Sequence, residues 1–248
     1  MQISKYNASG NDFVIFHTFK KIDRSRLAIK LCDRQKGVGA DGLIVLVPHN
    51  EFDFEWQFYN SDGSEAAMCG NGTRACAHYA FRNGLAKEDM VFLTGAGVLN
   101  SSVRGYVVET MLTDPVKLSE PFEEEGILWY FYNTGVPHLV AFIDDIEDFN
   151  LSLATKMRYA HNANVNFCSI KDGVLYTRTY ERGVESETLA CGTGMAACFY
   201  SANQDKKIGD FTKVYPTSKE ELEFRLENEK LYFKGKVSKI FDAVIDVV

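Results

Sequence analysis

Apolar residues in this 248-residue chain fall into two kinds of pattern. Short runs rich in β-branched and aromatic side chains, bounded by Gly, Asn and Asp, predict strands over 13–16, 43–47, 54–59, 103–110, 127–132, 139–143, 165–170 and 174–180. Helical spacing is rarer. It predicts a helix over 23–32 with Asp23 as its cap, a weaker one over 151–159, and two more that begin at Cys69 and Cys191. The last of these is apolar nearly all round over 195–202, which requires that other structure enclose it. Its counterpart keeps a polar stripe of Arg74, His78 and Arg82, predicting one side directed to water or to a partner.

The two unusual helices begin with related octets. Cys69-Gly70-Asn71-Gly72-Thr73-Arg74-Ala75-Cys76 is followed 122 positions later by Cys191-Gly192-Thr193-Gly194-Met195-Ala196-Ala197-Cys198. Ser64-Glu65 and Ser186-Glu187 stand at the same distance upstream, and Tyr6-Asn7-Ala8-Ser9-Gly10 is echoed by Tyr132-Asn133-Thr134-Gly135. Duplication follows, with a boundary near Thr113-Asp114-Pro115, where a strand pattern gives way to an acidic, proline-containing stretch through Glu125. The expected fold is α+β: two pseudo-symmetric domains, 1–113 and 114–238, each a curved, mostly antiparallel, barrel-like sheet around a central helix.

Composition removes several function classes. With 46% hydrophobic residues and five prolines the chain can bury a core in each half, and it has no low-complexity stretch. A net charge of −7 without any Lys/Arg cluster argues against nucleic acid, and the absence of a run of about 20 apolar residues argues against a membrane. The N-terminal residues lack the apolar core of a signal peptide, which predicts a cytoplasmic protein whose six cysteines are thiols. Neither the cysteine intervals nor the scattered histidines match a zinc site, so no metal is expected.

A thiol just before Gly-x-Gly, where the chain turns into a helix, has specific consequences. The first N–H groups of a helix are unpaired and point beyond its end, and glycine lets an anionic group approach that backbone closely. A carboxylate fits there, and the same partial charge favours thiolate over thiol. Two such ends suit removal of a proton from the α-carbon of an amino acid and its return on the other face, in a cleft between the halves. Cysteine in a turn is more often packing than chemistry, but two related copies reverse that judgement for Cys69 and Cys191. Cys32, Cys76, Cys168 and Cys198 are read as core. A nucleotide-binding module is the alternative from a different class, since both octets satisfy a loose Gly-x-Gly-x-x-Gly/Ala pattern; the poor strands before them count against it.

Further landmarks run the length of the chain: Gly10-Asn11-Asp12-Phe13, Gly37-Val38-Gly39-Ala40-Asp41-Gly42, Tyr59-Asn60-Ser61-Asp62-Gly63-Ser64-Glu65, Pro137-His138, Ala163-Asn164, and Tyr180-Glu181-Arg182-Gly183. With the octets, they resemble the diaminopimelate epimerase family. The resemblance implies interconversion of LL- and meso-2,6-diaminopimelate without pyridoxal or any other cofactor, in lysine and peptidoglycan precursor synthesis. By that resemblance Cys69 and Cys191 are the acid and base. Gly70, Asn71, Gly192 and Thr193 offer N–H groups to the reacting carboxylate, and Glu181 holds the reacting ammonium with His138 close by. Asn11 also contacts substrate, while Asn60, Asn164 and Arg182 grip the distant end. Proline racemases share the cysteine pair but typically carry His where this chain has Asn71; phenazine-type isomerases lack the pair. The resemblance also implies a last strand near 239–248 returning to the first domain, and a homodimer. Departures are Val136 in place of an Asn, Gly42 in place of a Gln, a turn after Gly183 one residue longer, and Phe241 where some members use Tyr at a dimer contact.

Overall fold

The computed structural model describes residues 1–246, and its chain divides into two units. One spans Met1–Met111 and takes the chain back from Gly235 onward; the other spans Leu112–Lys234.

The first unit contains β1 (Gln2–Ala8), β2 (Asn11–His17), α1 (Ser25–Cys32), β3 (Gly42–Val47), β4 (Phe54–Asn60), α2 (Gly70–Arg82), β5 (Asp89–Thr94), β6 (Gly97–Arg104) and β7 (Val107–Met111). Ser9 and Gly10, at φ 54° and 88°, make a two-residue turn between β1 and β2 whose paired positive φ values suit the strand twist and set Asn11 opposite Ala8. Two strand pairs are parallel, β2 with β3 and β4 with β5, and each needs a crossover, supplied by α1 and α2. Antiparallel pairing joins the rest, and the strand Ser238–Val244 closes the unit against β1.

The second unit contains β8 (Val116–Glu124), β9 (Ile127–Asn133), β10 (Pro137–Phe142), α3 (Leu151–His161), β11 (Asn164–Lys171), β12 (Val174–Glu181), β13 (Ser186–Thr188), α4 (Gly192–Gln204), β14 (Phe211–Tyr215), β15 (Leu222–Glu227) and β16 (Lys230–Lys236). Its parallel pairs are β10 with β11, crossed by α3, and β12 with β14, crossed by α4. The order of parallel and antiparallel steps in the first unit is thus repeated, as the octets require.

In each unit one helix is enclosed. Every residue of α2 from Gly70 to Ala80 is buried, and Ala75, Cys76, Ala77 and Ala80 pack among Trp56, Phe58 and Phe92. Small side chains let the surrounding strands come close to the helix axis. On α4, Phe199 stacks on Phe224, which stacks on Phe233. Full burial of each such ring contributes roughly 1.5–3 kcal/mol, so these helices are fixed by packing rather than propensity.

Several expectations are corrected. The span 103–110 is two strands, broken at Gly105 and Tyr106 by a turn with Gly105 at φ 60°. The acidic stretch after Pro115 is β8, paired with β9 through register shifts around Ser119; its largely exposed positions carry the charges that made it read as a connection. Asp23 does not occupy the cap position of α1. Arg24 does, while Asp23 Oδ1 accepts from Ser25 N at 2.9 Å. The stripe on α2 does not reach water at Arg74 or His78, which are 0% and 2% exposed. The returning strand ends at Val244, and positions 247 and 248 of the predicted 239–248 segment lie outside the described residues.

Candidate functional site

Cys69 is the residue before the first turn of α2, in extended conformation at φ −147°, and its Sγ accepts from Gly72 N at 3.4 Å. The sulfur therefore sits on the positive end of a 13-residue helix, where aligned peptide dipoles amount to about half a unit charge. Gly70, Asn71 and Gly72 form the buried first turn beside it.

A chain of side chains fixes Asn71 and Asn11. Arg74 donates from Nη2 to Ser9 Oγ at 2.7 Å and to Asn71 Oδ1 at 3.0 Å. With its oxygen so occupied, Asn71 donates from Nδ2 to Asn11 Oδ1 at 2.6 Å, and Asn11 Nδ2 donates to Asp41 Oδ2 at 3.1 Å. Asp41 is held in turn by Arg34, which also grips both oxygens of Asp12. Burial disfavours the Asp12 anion, but hydrogen bonds from Arg34 and Lys5 outweigh it and bring the carboxyl down to about 2. Each amide thus has one determined orientation. Asn60 ends β4 opposite Gly42 and donates from Nδ2 to Ser64 Oγ at 3.0 Å. A Cβ at Gly42 would meet Phe58 Cε2 at 2.6 Å and Tyr59 O at 2.9 Å, which explains why no side chain stands there.

The second unit repeats the helix end with different support. Cys191 precedes α4 at φ −109°, and its Sγ lies 3.5 Å from Thr193 Oγ1. His138, fully buried on β10, approaches the same hydroxyl at 2.8 Å through Nε2. Asn164 donates from Nδ2 to Pro137 O at 3.2 Å and accepts from Arg182 N at 2.7 Å, while Arg182 Nη1 donates to Asn162 O at 2.8 Å. Glu181 Oε2 accepts from Thr188 Oγ1 at 2.9 Å. The predicted residues of this half, namely His138, Asn164, Glu181, Arg182, Cys191, Gly192 and Thr193, therefore belong to one neighbourhood built from β10, β11, the end of β12 and the start of α4. Of those of the first half, Asn11, Cys69, Gly70 and Asn71 meet at the start of α2, whereas Asn60 stands at the end of β4 and bonds Ser64 Oγ.

Three thiols away from these ends are disfavoured as thiolates by their surroundings. Burial pushes Cys32 up to about 12 and raises Cys76 and Cys198 well above the ordinary thiol range. Among the described residues no group of three or more His, Cys, Asp or Glu is placed to hold a metal ion, and no helix is long and apolar enough to cross a membrane.

Burial also holds His138 down to about 3 against its ordinary 6.5, with the Arg182 charge adding to the effect. A depressed imidazole means that the unfolded chain takes up the proton first. Its contribution to stability is complete above about pH 7 and is lost as pH falls from 6.5 toward 3. His78, lowered to about 4 chiefly by burial, has the same sign, whereas Asp12 begins to titrate only below about 4. The urea midpoint is accordingly expected to fall between pH 7 and pH 5, at up to ~1.4 kcal/mol per pH unit for His138. A midpoint independent of pH over that interval would show the ring protonating inside the folded protein.

Three supporting residues escaped the sequence reading: Arg74 and Asp41 beside the start of α2, and Asn166 beside His138. Arg74 was visible inside the octet, but its spacing from His78 and Arg82 resembled a solvated stripe. Asp41 lies inside the Gly37–Gly42 motif without having been singled out, and Asn166 lies in the predicted strand 165–170, outside every motif.

The model of the diaminopimelate epimerase family matches residues 3–118 and 130–240. Among curated proteins, the diaminopimelate epimerase of a Nitratiruptor species is 57% identical over 98% of this chain and 97% of its own. That of Campylobacter lari is 52% identical over 98% of both chains. A solved structure of a probable proline racemase from Agrobacterium radiobacter superposes with a TM-score of 0.76 at 14% identity, covering 100% of this chain and 93% of that one; at such identity the likeness concerns the fold.

Proposed function

Because the chain belongs to the diaminopimelate epimerase family, we propose that it interconverts LL- and meso-2,6-diaminopimelate by proton transfer between carbon and two cysteines, with no cofactor. The observation that carries this reading is the pair of cysteines at the N-termini of two enclosed helices, each followed by Gly-x-Gly on a repeated fold.

The chemistry needs both helix ends. An α-carbon bearing an ammonium and a carboxylate is a far weaker acid than a thiol, so charge developing on it must be met by fixed dipoles at the moment of transfer. The N–H groups of Gly70, Asn71, Gly192 and Thr193 provide these dipoles for the carboxylate, and they are aimed before substrate binds. Inversion requires that one proton leave a face of the carbon and another arrive on the opposite face. Cys69 and Cys191 take these two roles and exchange them with the direction of reaction. Glu181 takes the reacting ammonium, with His138 as a neutral neighbour. Asn11, Asn60, Asn164 and Arg182 complete the binding set, the last through a forked guanidinium suited to the distal carboxylate. Arg182→Lys is expected to raise KM for diaminopimelate by about tenfold with a smaller effect on kcat, because a single ammonium cannot reproduce two parallel hydrogen bonds. Unchanged steady-state kinetics would remove Arg182 from the binding set.

Thiol chemistry favours a reducing compartment, and we place the enzyme in the cytoplasm. A homodimer is part of the proposal; the exposed Ile240, Phe241 and Val244 on the returning strand offer it apolar side chains.

Incubation with LL-diaminopimelate in deuterated water tests the function. Deuterium is expected at the α-carbon of the meso product, with no exchange into proline. Exchange into proline would move the chain to the racemase reading, and no exchange into either would sink the proposal.

A further inference from the structure

The imidazole of His138 is gripped at both nitrogens, and its partners decide which one carries the proton. Asn166, fully buried on β11, places Nδ2 at 2.7 Å from Leu139 O and 3.1 Å from His138 Nδ1, while its Oδ1 accepts from Thr179 Oγ1 at 2.9 Å. A main-chain carbonyl only accepts, so the amide nitrogen must face Leu139; turned over, the amide would set two oxygens against each other at that separation. The same nitrogen can only donate to the ring. His138 Nδ1 is therefore an acceptor, and the ring proton resides on Nε2.

From there the direction of each hydrogen bond is determined in sequence. Nε2–H donates to Thr193 Oγ1 at 2.8 Å, its close partner; Asn164 Nδ2 stands off at 3.5 Å and is directed to Pro137 O. The Thr193 hydroxyl, accepting on one side, has its own proton for Cys191 Sγ at 3.5 Å, within reach of a bond to sulfur. Cys69 is held otherwise, through the Gly72 main-chain N–H. We propose that Asn166 is a positioning residue for Cys191: by fixing the His138 tautomer it makes Thr193 a donor to the sulfur, favouring thiolate and turning the thiol's own proton away from Thr193. Burial supports this role, since it keeps the ring neutral over the physiological range. The inference rests on Cys191 being one of the two proton-transferring thiols, but its tests do not depend on turnover.

The first test is nitrogen NMR of the full chain labelled at histidine, with the His138 signals assigned by their loss in His138→Gln. A neutral ring with Nε2 protonated and Nδ1 bare is expected near pH 7; an Nδ1–H tautomer overturns the proposal. The second is the pH profile of Cys191 alkylation by iodoacetamide in a Cys69→Ala background. Thr193→Val is expected to raise the midpoint by about one pH unit, with roughly tenfold slower alkylation at neutral pH, and Thr193→Ser to restore both. Asn166→Asp cannot donate to Nδ1, so it should move the ring proton and reproduce the Thr193→Val shift. The double variant should show no more than either alone. Additive shifts, or an unshifted Thr193→Val profile, would refute the relay. If Asn166→Asp does not fold, the tautomer and the Thr193 pair still decide the matter. Full epimerase activity in Cys191→Ala would instead remove Cys191 from the chemistry and leave these measurements standing.

Discussion

Cys69→Ala and Cys191→Ala are each expected to lower diaminopimelate epimerisation by at least roughly 10²–10⁴-fold, the range supplied by a positioned acid or base. Either variant keeps one thiol, both helix ends and every binding residue, yet inversion stops because a proton can be moved on only one face of the carbon. The serine variants separate chemistry from structure. Cys69 Sγ accepts from Gly72 N, so alanine removes a helix cap worth about 1 kcal/mol, whereas serine retains an acceptor there. Cys69→Ser should therefore unfold at nearly the parental urea concentration while epimerising slowly, since a hydroxyl is a much weaker acid than a thiol. Rates from polarimetry alongside urea midpoints check both halves of the statement. Full activity in either alanine variant would exclude that residue from proton transfer.

Gly194→Ala should be the most damaging change of a single methyl group in the site. A Cβ at Gly194 would lie 2.2 Å from Asn166 Oδ1, 3.2 Å from Thr179 Oγ1 and 3.3 Å from Asn166 Cγ. Asn166 has nowhere to retreat, because its nitrogen is held by Leu139 O and its oxygen by Thr179 in a fully buried setting. The start of α4 must shift instead, carrying Cys191 and Thr193 with it. Overpacking of this kind costs about 1–3 kcal/mol, and displacement of a reacting group by an ångström costs on the order of 100-fold in rate. Gly72, the corresponding residue of the first octet, provides the contrast. Its Cβ would come no nearer than 3.3 Å to Cys69 Cβ and 3.4 Å to Ile44 Cδ1, contacts that small adjustments absorb. Gly72→Ala is thus expected to keep most of the stability that Gly194→Ala loses, as read by urea unfolding and kcat/KM. Equal losses in the two variants would contradict this asymmetry.

Much of this architecture was legible from spacing because duplication wrote it twice. The octets located both enclosed helices to within a residue, and the apolar run after Met195 announced its own burial. What escaped had a physical reason. The β8 segment sets half-buried Ser119, Phe122 and Glu124 among exposed positions that include Lys117, Glu120 and Glu123, and a solvated strand with Glu and Lys on its outer face looks like a connection. Arg74 defied the usual rule that guanidinium groups stay wet, because its partners Ser9 and Asn71 are brought to it by a hairpin more than 60 residues earlier and by its own helix. Asn166 shares a face of β11 with Asn164, two residues before it, and only its contacts with His138 Nδ1 and Leu139 O set it apart. Candidate residues followed from motifs; the supports that orient them depend on contacts between distant parts of the chain.

The strand Ser238–Val244 lies antiparallel to β1, and Met1 and Ile245 exchange main-chain hydrogen bonds, the N-terminal amine donating to Ile245 O at 2.6 Å and Ile245 N to Met1 O at 2.9 Å. During synthesis the first 111 residues must therefore wait for a partner made more than 120 residues later, whereas Leu112–Lys234 is continuous in sequence. A ribosome delivering this chain leaves the earlier unit with an open β1 edge for as long as the later unit is being made, the stage at which chaperone protection matters most.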